Sequence, residues 1–167
     1  MRKKILYVDM DGVLANFDKK VLEINPSIIT LSSHAPFYKK RSNMVLKVMT
    51  DNPRLFLDLE PIEGSIESVK RLWEYYDVLF LSTPCWLVPE SFMDKRHWIQ
   101  QYFGDAAKER LILSQRKELN FGESLVDDRL WNGADRFLGE HLHFAHDKKY
   151  PTWVEVEEYL MNNHKYE

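Results

Sequence analysis

The sequence predicts an α/β protein with a doubly wound parallel sheet and a small helical cap inserted after the first strand. Short apolar runs alternate with segments of helical periodicity over most of the chain, which is the pattern of repeated β-α-β units. One segment, 17–59, interrupts this alternation. We therefore expect an α/β core formed by residues 1–16 and 60–167, with residues 17–59 as the cap.

The strand signals are short apolar runs that end in polar or acidic residues. The first run, Ile5–Val8, is followed by Asp-Met-Asp-Gly, and its unbroken apolar character is typical of a strand buried on both faces of a parallel sheet. The same form recurs at Val78–Leu81, Leu111–Leu113 and Ser124–Val126, and Leu142–Ala145 is a candidate fifth strand.

Helical periodicity occupies the intervals between these runs. The helical face ahead of the second strand consists of Ile62, Ile66, Val69, Leu72, Trp73 and Tyr76. Another stripe consists of Phe92, Arg96, Ile99 and Phe103, with Pro89 near its start and Gly104 just past its end. Thr152 and Glu155 fit a capping box for a last helix that carries Trp153, Val156 and Leu160.

The segment 17–59 is rich in aromatic residues, mostly helical in composition, and follows directly on the first strand. Open α/β sheets bind ligands in the crevice at the carboxyl ends of their strands. A helical cap inserted at this point would cover that crevice.

Composition and charge exclude several classes of function. The 167 residues include 23 Lys and Arg against 26 Asp and Glu, so the chain lacks the basic excess that binding a nucleic-acid polymer requires. No run approaches the ~20 apolar residues of a membrane span, and the N-terminal apolar run ends at Asp9, too early for a signal peptide. The single cysteine, Cys85, excludes an intrachain disulfide and suits the reducing cytoplasm, where we expect the protein.

Polar and charged groups follow each of the first four predicted strands. These groups are Asp9, Asp11, Ser82, Thr83, Lys117, Asp127 and Asp128. Because the carboxyl ends of parallel strands meet at one edge of a sheet, we expect these side chains to converge. Asp9 and Asp11 are two residues apart, so an extended backbone points both carboxylates to the same side.

Carboxylates crowded at one edge repel one another unless they are protonated or bridged by a cation, and hard oxygen ligands suit Mg²⁺. The sequence therefore predicts a magnesium ion held by Asp9, Asp11 and Asp127. Asp128 would lie beside this set and orient a ligand.

The same residues match the needs of phosphate ester hydrolysis: an in-line nucleophile, neutralised charge and a proton for the leaving oxygen. Asp9 would attack phosphorus to form an aspartyl-phosphate. Asp11 would protonate the leaving alcohol and then activate water. Ser82 and Thr83 would hydrogen-bond the phosphoryl oxygens, and Lys117 would hold their charge.

The run Tyr-Val-Asp-Met-Asp-Gly-Val-Leu-Ala-Asn-Phe, ending at Phe17, resembles the first motif of the haloacid dehalogenase superfamily. More narrowly, the chain resembles the 5′(3′)-deoxyribonucleotidases. Four further runs are similar to that family in order and spacing: Leu-Asp-Leu-Glu-Pro-Ile-Glu-Gly, Phe-Leu-Ser-Thr-Pro, Glu-Arg-Leu-Ile-Leu-Ser-Gln-Arg-Lys and Leu-Val-Asp-Asp-Arg, ending at residues 64, 84, 117 and 129.

This resemblance implies a Mg²⁺-dependent phosphatase for deoxynucleoside monophosphates, with aromatic cap residues around the base. The matching aromatic positions are Phe17, Phe37, Tyr38 and Phe56. Asn16 stands where the family usually has Asp, and Ser82-Thr83 replaces the usual Thr-Ser. Because the second change keeps a hydroxyl at both positions, these differences bear on substrate detail more than on chemistry.

Three other functions stay open at this point. A phosphatase of the same superfamily could act on a sugar phosphate or a ribonucleotide, since the cap decides the substrate. A signalling receiver domain also combines an acidic pair, a phosphorylated Asp, a Ser or Thr and a Lys around magnesium, although in a different chain order. A non-catalytic Mg²⁺- or phosphate-binding module is disfavoured because every expected acid is present.

Two further groups of residues are given structural interpretations. His141, His143 and His146 could suggest a metal cluster, but a strand-and-turn surface is favoured because no carboxylate spacing there completes a site. No histidine base or phosphate-binding loop follows Cys85, so a nucleophilic role is not expected. A homodimer is compatible with the sequence, which identifies no other protein partner.

Overall fold

The computed structural model describes residues 3–30 and 38–165. Five parallel strands form one sheet in the order β3-β2-β1-β4-β5. Their bounds are β1 Ile5–Val8, β2 Asp77–Ser82, β3 Leu111–Leu113, β4 Ser124–Asp127 and β5 Glu140–His143. The doubly wound α/β sheet predicted from the sequence is thereby confirmed.

Five α-helices accompany the sheet in the described part of the chain: α1 Phe17–Ile24, α2 Tyr38–Asp51, α3 Ser65–Leu72, α4 Glu90–Phe103 and α5 Trp153–Lys165. The capping interaction predicted for α5 is present. The backbone N–H of Thr152 donates to Glu155 Oε2 at 3.2 Å, and the N–H of Val154 donates to Thr152 Oγ1 at 3.2 Å. α4 begins after Pro89 and ends before Gly104, as predicted.

The bounds predicted for the fifth strand were wrong. β5 begins at Glu140 and ends at His143, whereas Ala145 adopts a positive φ of 59° in the turn that follows. β5 is an edge strand that pairs only with β4 among the described strands, and within it only Leu142 is fully buried. An edge strand can alternate between polar and apolar residues, so the search for a continuous apolar run missed its true start.

Two predicted helical stripes also differ from the structure. α3 ends at Leu72, and Trp73–Tyr76 forms the turn into β2 rather than a further helical turn. In α4, Arg96 is exposed, although the sequence pattern placed it on the buried face. The polar residues Asp94 and Lys95 are buried instead, and each is compensated by an ion pair, with Arg54 and with Asp11 respectively.

The central strands give the carboxyl edge of the sheet a rigid support. Leu6 and Val8 of β1 and Leu125 and Val126 of β4 are fully buried. The indole N–H of Trp153 in α5 donates to the carbonyl oxygen of Val13 at 2.8 Å and so holds the chain just after β1. Polar residues at the ends of β1 and β4 are therefore carried by the most deeply packed part of the fold.

The helical segment after β1 leaves and rejoins the core at one place. The N–H of Asn16 donates to Glu60 O at 2.8 Å, and the N–H of Ile62 donates to Leu14 O at 2.7 Å. The indole N–H of Trp98 in α4 donates to Leu59 O at 2.8 Å. The division into a core of 1–16 and 60–167 and a cap of 17–59 stays a prediction, which these junction contacts support.

Within residues 3–30 and 38–165, no helix combines the length and the apolar character needed to cross a lipid bilayer.

Candidate active site

Asp9 and Asp127 lie side by side at the carboxyl edge of the sheet. Asp9 follows β1 directly, Asp127 ends β4, and the two strands are hydrogen-bonded neighbours. The N–H of Asp9 donates to Val126 O at 2.9 Å, which continues the ladder beyond the last residue of β1. Both carboxylates are buried, so strand pairing alone places two acids together away from solvent.

A third carboxylate and a lysine complete this group. Asp9, Asp127 and Asp128 each offer a carboxylate oxygen, and these oxygens all lie within 4.8 Å of one another. The buried Lys117 places its Nζ 3.0 Å from Asp9 Oδ1 and donates a hydrogen bond to Asp127 Oδ2. The arrangement brings one ammonium group and three carboxylates to one point.

The charges divide these acids into two kinds. Burial raises the pKa of the Asp9 carboxyl, but the ammonium groups of Lys117 and Lys95 outweigh burial and hold the pKa below its usual value. Burial and the charge of Asp9 raise the pKa of Asp127 to about 7 despite the opposing effect of Lys117. Burial, opposed by the neighbouring guanidinium of Arg129, likewise raises the pKa of Asp128 to about 7.

Lys117 stays charged in this setting. Burial by itself lowers the pKa of its ammonium group, but the carboxylates of Asp9 and Asp127 reverse that effect and raise the pKa. Asp9 is therefore the ionised acid of the group, and Lys117 is its fixed counter-charge.

The donor set suits a divalent metal ion. Asp128 Oδ1 is buried and accepts no hydrogen bond from the described residues, and the buried Asp9 Oδ1 forms an ion pair with Lys117 Nζ at 3.0 Å. Carboxylate oxygens in this crowded state are the ligands that hard cations take, and a cation would relieve the repulsion that raises two of the pKa values. The Asp9, Asp127 and Asp128 cluster could therefore hold a metal ion.

Gly12 makes this close packing possible. Its φ is +80°, and a Cβ atom added there would lie 2.4 Å from Asp128 Oδ2. Any side chain at this position would strain the backbone and displace the Asp128 carboxylate. Gly12 therefore permits both the turn after Asp11 and the close approach of the Asp128 carboxylate.

The side chain of Asp11, predicted as a metal ligand, points elsewhere. Its Oδ2 accepts a hydrogen bond from Lys95 Nζ at 2.6 Å, and the carboxylate is not among the three that meet within 4.8 Å. Asp128, expected beside the metal, supplies the third carboxylate instead. The assignment of Asp11 as a ligand stays a prediction that this geometry does not support.

The two hydroxyls after β2 have different surroundings. Ser82 Oγ is buried and has no hydrogen-bond partner among the described residues, so it is available to a ligand. Thr83 Oγ1 donates to Ser114 O at 2.8 Å and so ties the end of β2 to the chain after β3. Of the two predicted phosphate contacts, Ser82 has the unused donor.

The predicted strand-end polar residues other than Asp128 border a common cavity of about 280 Å³. Its walls include Asp9, Asp11, Ser82, Thr83, Lys117 and Asp127, together with Phe17, Phe56, Trp86, Arg129 and Trp131. This volume is just below the range of about 300–1,000 Å³ that is typical of small-molecule sites. The structure therefore gathers the strand-end residues around one opening.

The predicted aromatic residues are placed unequally. Phe17 and Phe56 border the cavity and stack on each other with ring centroids 5.7 Å apart and an interplanar angle of 17°. Both side chains are nearly buried, so they offer little surface to a ligand. Phe37 and the side chain of Tyr38 lie outside the described part of the chain.

Sequence reasoning missed several residues of this site. Trp86 and Trp131 border the cavity and are 75% and 47% exposed, and the Arg129 guanidinium lies 5.5 Å from the Trp131 ring centroid. Lys95 was also missed. It stands three residues after Phe92 and four before Ile99, so it lies on the apolar stripe of α4. A lysine on that stripe was the sequence feature that could have indicated a buried, paired charge.

Two of the three histidines in and after β5 contact the backbone of the acidic pair, and the third stacks on one of them. His141 Nε2 and His143 Nε2 donate to the carbonyl oxygens of Asp127 and Asp128, each at 3.1 Å. The ring of His146 stacks on that of His143 with centroids 4.7 Å apart. These contacts give two of the three imidazoles a role in holding the loop after β4.

Comparison with known structures shows the fold. The HAD-hydrolase YfnB from Bacillus subtilis, in a crystal form bound to magnesium, superposes with a TM-score of 0.57 at 11% identity, covering 89% of this chain and 90% of that chain. A hydrolase from Streptococcus pneumoniae gives a TM-score of 0.56 at 12% identity, covering 96% of this chain and 100% of that chain. These likenesses place the sheet and its helices in the haloacid dehalogenase fold.

Comparison of sequences shows the family. A protein of Vibrio phage KVP40 named as a 5′(3′)-deoxyribonucleotidase is 38% identical over 163 residues, covering 98% of this chain and 88% of that protein. The human cytosolic-type 5′(3′)-deoxyribonucleotidase is 30% identical over 138 residues, covering 73% of this chain and 69% of that protein. Residues 3–163 match the family described as 5′ nucleotidase, deoxy (pyrimidine), cytosolic type C protein, and the chain belongs to that family of phosphomonoester hydrolases.

Proposed function

We propose that the protein removes phosphate from deoxynucleoside monophosphates through an aspartyl-phosphate on Asp9, with Mg²⁺ as its bound ion. The observation that carries this proposal is the meeting of Asp9, Asp127 and Asp128 with Lys117 beside a cavity that Asp11 and Ser82 also border. The family and the names of the relatives support the substrate class.

The carboxylates of Asp9, Asp127 and Asp128 would hold the magnesium ion. Bound there, Mg²⁺ supplies positive charge that offsets the phosphoryl oxygens and the neighbouring acids. Lys117 supplies a second, fixed positive charge next to the nucleophile.

In the first step a carboxylate oxygen of Asp9 attacks phosphorus while the bond from phosphorus to the ester oxygen breaks. Asp11, in its protonated form, gives its proton to that oxygen, so the nucleoside leaves as a neutral alcohol. The depressed pKa of Asp9 keeps it ionised and able to attack.

In the second step water attacks phosphorus and displaces the Asp9 carboxylate. Asp11, now ionised, takes a proton from the water, which restores both acids and releases inorganic phosphate. The same side chain acts as acid and then as base, so no further titratable group is needed.

Ser82 would donate its unused hydroxyl hydrogen to a phosphoryl oxygen, and Lys117 would balance the charge. The predicted contact of Thr83 with phosphate would use its backbone N–H, because its hydroxyl hydrogen is given to Ser114 O. Ser82 is therefore the stronger of the two phosphate contacts in this proposal.

The base would lie toward the cap and the outer rim of the cavity. Residues 17–59 would act as the cap, with Phe17 and Phe56 as its wall. Trp86 and Trp131 have far more exposed ring surface, and stacking on such rings is a general mode of binding a base. We assign the larger share of base contact to the two tryptophans.

The second candidate function is hydrolysis of another small phosphomonoester, a sugar phosphate or a ribonucleotide. The same strand-end residues would perform that chemistry, so the rim and the cap alone separate the two candidates. The exposed tryptophans favour a nucleotide over a sugar phosphate, because a sugar ring offers no aromatic face.

The test is phosphate release from 5′- and 3′-deoxynucleotides, ribonucleotides and sugar phosphates, each with Mg²⁺ and with excess chelator. We expect release that requires Mg²⁺ and is fastest with deoxynucleotides. Fastest release from another ester would keep the chemistry and replace the substrate. No release from any ester would overturn the proposal.

We also place this reaction in the cytoplasm, as the name of the human relative and the lone Cys85 support. Assembly as a homodimer stays a prediction. Sedimentation of the purified protein across a range of concentrations checks it, since a dimer would give a single boundary at twice the chain mass of 20.0 kDa.

A further inference from the structure

Lys95 is a buried cation whose only ion pair with a described residue is with Asp11. Its side chain is 1% exposed, and its Nζ donates to Asp11 Oδ2 at 2.6 Å. Lysine is rarely buried to this extent, because removing its charge from water is costly unless a partner compensates. The contact with Asp11 is therefore a specific arrangement of the fold.

The surroundings of Lys95 hold it at a fixed point. It lies on α4, and its Nζ is 5.0 Å from the centroid of the Phe56 ring. The neighbouring Asp94 forms an ion pair with Arg54 at 2.8 Å. α4 thus contacts Asp11 before the predicted cap and residues 54–56 near the end of that cap. These contacts leave Lys95 little freedom to move away from Asp11.

Asp11 borders the cavity and remains 20% exposed, whereas Lys95 is not part of the cavity wall. The direct polar contact of Lys95 with a residue of the cavity wall is therefore the hydrogen bond to Asp11, and at longer range its charge also helps to lower the pKa of Asp9. Two carboxylates from the same strand end, Asp9 and Asp11, have different neighbours: one joins the three-acid cluster and the other is drawn to α4.

We propose that Lys95 is a positioning residue that holds the Asp11 carboxylate off the metal cluster and in place for proton transfer to the leaving oxygen. This inference rests on the proposed function, because it assigns the acid and base of that reaction. Without Lys95, the Asp11 carboxylate could turn toward the cation site two residues away, where it would bind metal and lose its proton-transfer position.

A residue that positions a general acid has a signature in the leaving group. An alcohol leaves slowly unless it is protonated, whereas p-nitrophenolate leaves readily without a proton. Loss of the acid therefore slows the hydrolysis of a deoxynucleotide or of phenyl phosphate much more than that of p-nitrophenyl phosphate. A general weakening of the fold would slow all three esters alike.

The experiment compares kcat/KM, which reports formation of the phosphoenzyme, for wild type, Lys95→Met and Lys95→Gln. For Lys95→Met we expect a loss of about 10- to 100-fold with deoxynucleotide and phenyl phosphate, and of at most about 3-fold with p-nitrophenyl phosphate. Lys95→Gln keeps an N–H donor and should recover part of the loss. If Lys95→Met does not fold, the three esters are compared with Lys95→Gln, for which the same selective loss is expected.

The matched control is Arg96→Met, which removes a positive charge from the next residue of the same helix on its exposed side. We expect its kcat/KM to stay at the wild-type value for every ester. A loss equal to that of Lys95→Met would show that the net charge of α4, rather than the contact with Asp11, causes the effect. That result would overturn the proposal.

A double-mutant cycle tests whether Lys95 acts through Asp11. Once Asp11→Asn has removed the acid, adding Lys95→Met should change kcat/KM for phenyl phosphate by less than about 3-fold. Additive losses, or equal losses for phenyl and p-nitrophenyl phosphate, would show that Lys95 acts independently of the acid and would overturn the inference.

The proposed function and the inference about Lys95 can be contradicted independently. The proposed function fails if the wild-type protein releases no phosphate or if Asp9→Asn retains activity, whatever Lys95 does. The inference alone fails if wild type is active and Asp11→Asn shows the leaving-group signature, but Lys95→Met does not.

Discussion

The site has two halves that are built in different ways. We call Asp9, Asp127, Asp128, Lys117 and Ser82 the strand-end half, because strands or the turns after them carry all five. The helix-side half consists of the Asp11 carboxylate, Lys95 of α4 and Phe56. Paired neighbouring strands place the first half, whereas contacts between residues distant in the sequence place the second.

The two halves also differ in charge. In the strand-end half three carboxylates crowd around Lys117, and burial with mutual repulsion raises the pKa of Asp127 and Asp128 to about 7. In the helix-side half one acid meets one lysine at 2.6 Å. An excess of acid suits a site for a cation, whereas Asp11 has a positive partner of its own, so the two halves have different electrostatic surroundings.

Replacing the nucleophile gives the largest expected effect and tests whether the strand-end half performs the chemistry. Asp9→Asn should lower kcat by about 10⁴-fold or more, because an amide cannot form the aspartyl-phosphate. The fold should persist, since the substitution removes one of the crowded charges. Phosphate release and circular dichroism measure the two outcomes, and near-normal turnover would contradict the assignment.

The two hydroxyls after β2 sharpen the comparison within the strand-end half. Ser82→Ala should lower kcat/KM about 10- to 100-fold with little change in Tm, because the Ser82 hydroxyl has no partner to lose. Thr83→Val should cost about 1 kcal/mol of stability, or about 2–4 °C in Tm, and less activity, because it breaks the bond to Ser114 O. Reversed effects would assign phosphate binding to Thr83.

The dependence of stability on pH and on Mg²⁺ tests whether the strand-end half carries an excess of carboxylates over positive groups. Asp127 and Asp128 have an ordinary pKa of 3.8 that folding raises to about 7, so the folded state binds more protons between these values. Their contribution to stability is present below about pH 4 and is lost as the pH rises through about 7.

The measurement is Tm between pH 5 and pH 8 with chelator and with Mg²⁺. We expect the fall in Tm with rising pH to be smaller with Mg²⁺, because the ion stabilises the ionised acids. Asp128→Asn should flatten the curve in chelator. Identical slopes with and without Mg²⁺ would argue against the carboxylate cluster as the metal site.

The aromatic residues give the smallest expected effect and test where the base lies. Trp86→Ala should raise KM for a deoxynucleotide about 5- to 10-fold with kcat and Tm nearly unchanged, because the ring is 75% exposed at the cavity. Phe56→Leu should mainly lower Tm, because that ring is buried against Phe17. A KM effect confined to Phe56→Leu would move the base to the cap wall.

The fold was predictable because the central strands are continuous apolar runs. β1, β2 and β4 were located to within one residue at each end, since a strand buried on both faces needs apolar residues at nearly every position. β5 and the buried face of α4 were misread, because an edge strand and a helix bearing paired charges do not follow that rule.

By itself the sequence determined the strand-end half of the candidate site. Short motifs after parallel strands must meet at one edge of the sheet, so local order along the chain was enough to bring Asp9, Lys117 and Asp127 together.

Only the tertiary structure decided the neighbours of Asp11 and the third acid of the cluster. Period-two geometry predicted that Asp11 and Asp9 face the same way, but a single hydrogen bond from Lys95, 84 residues away in the sequence, draws the Asp11 carboxylate to α4. Gly12 then leaves room for Asp128 in its place. Such contacts depend on how a helix packs on the sheet, and no local pattern of residue types contains that information.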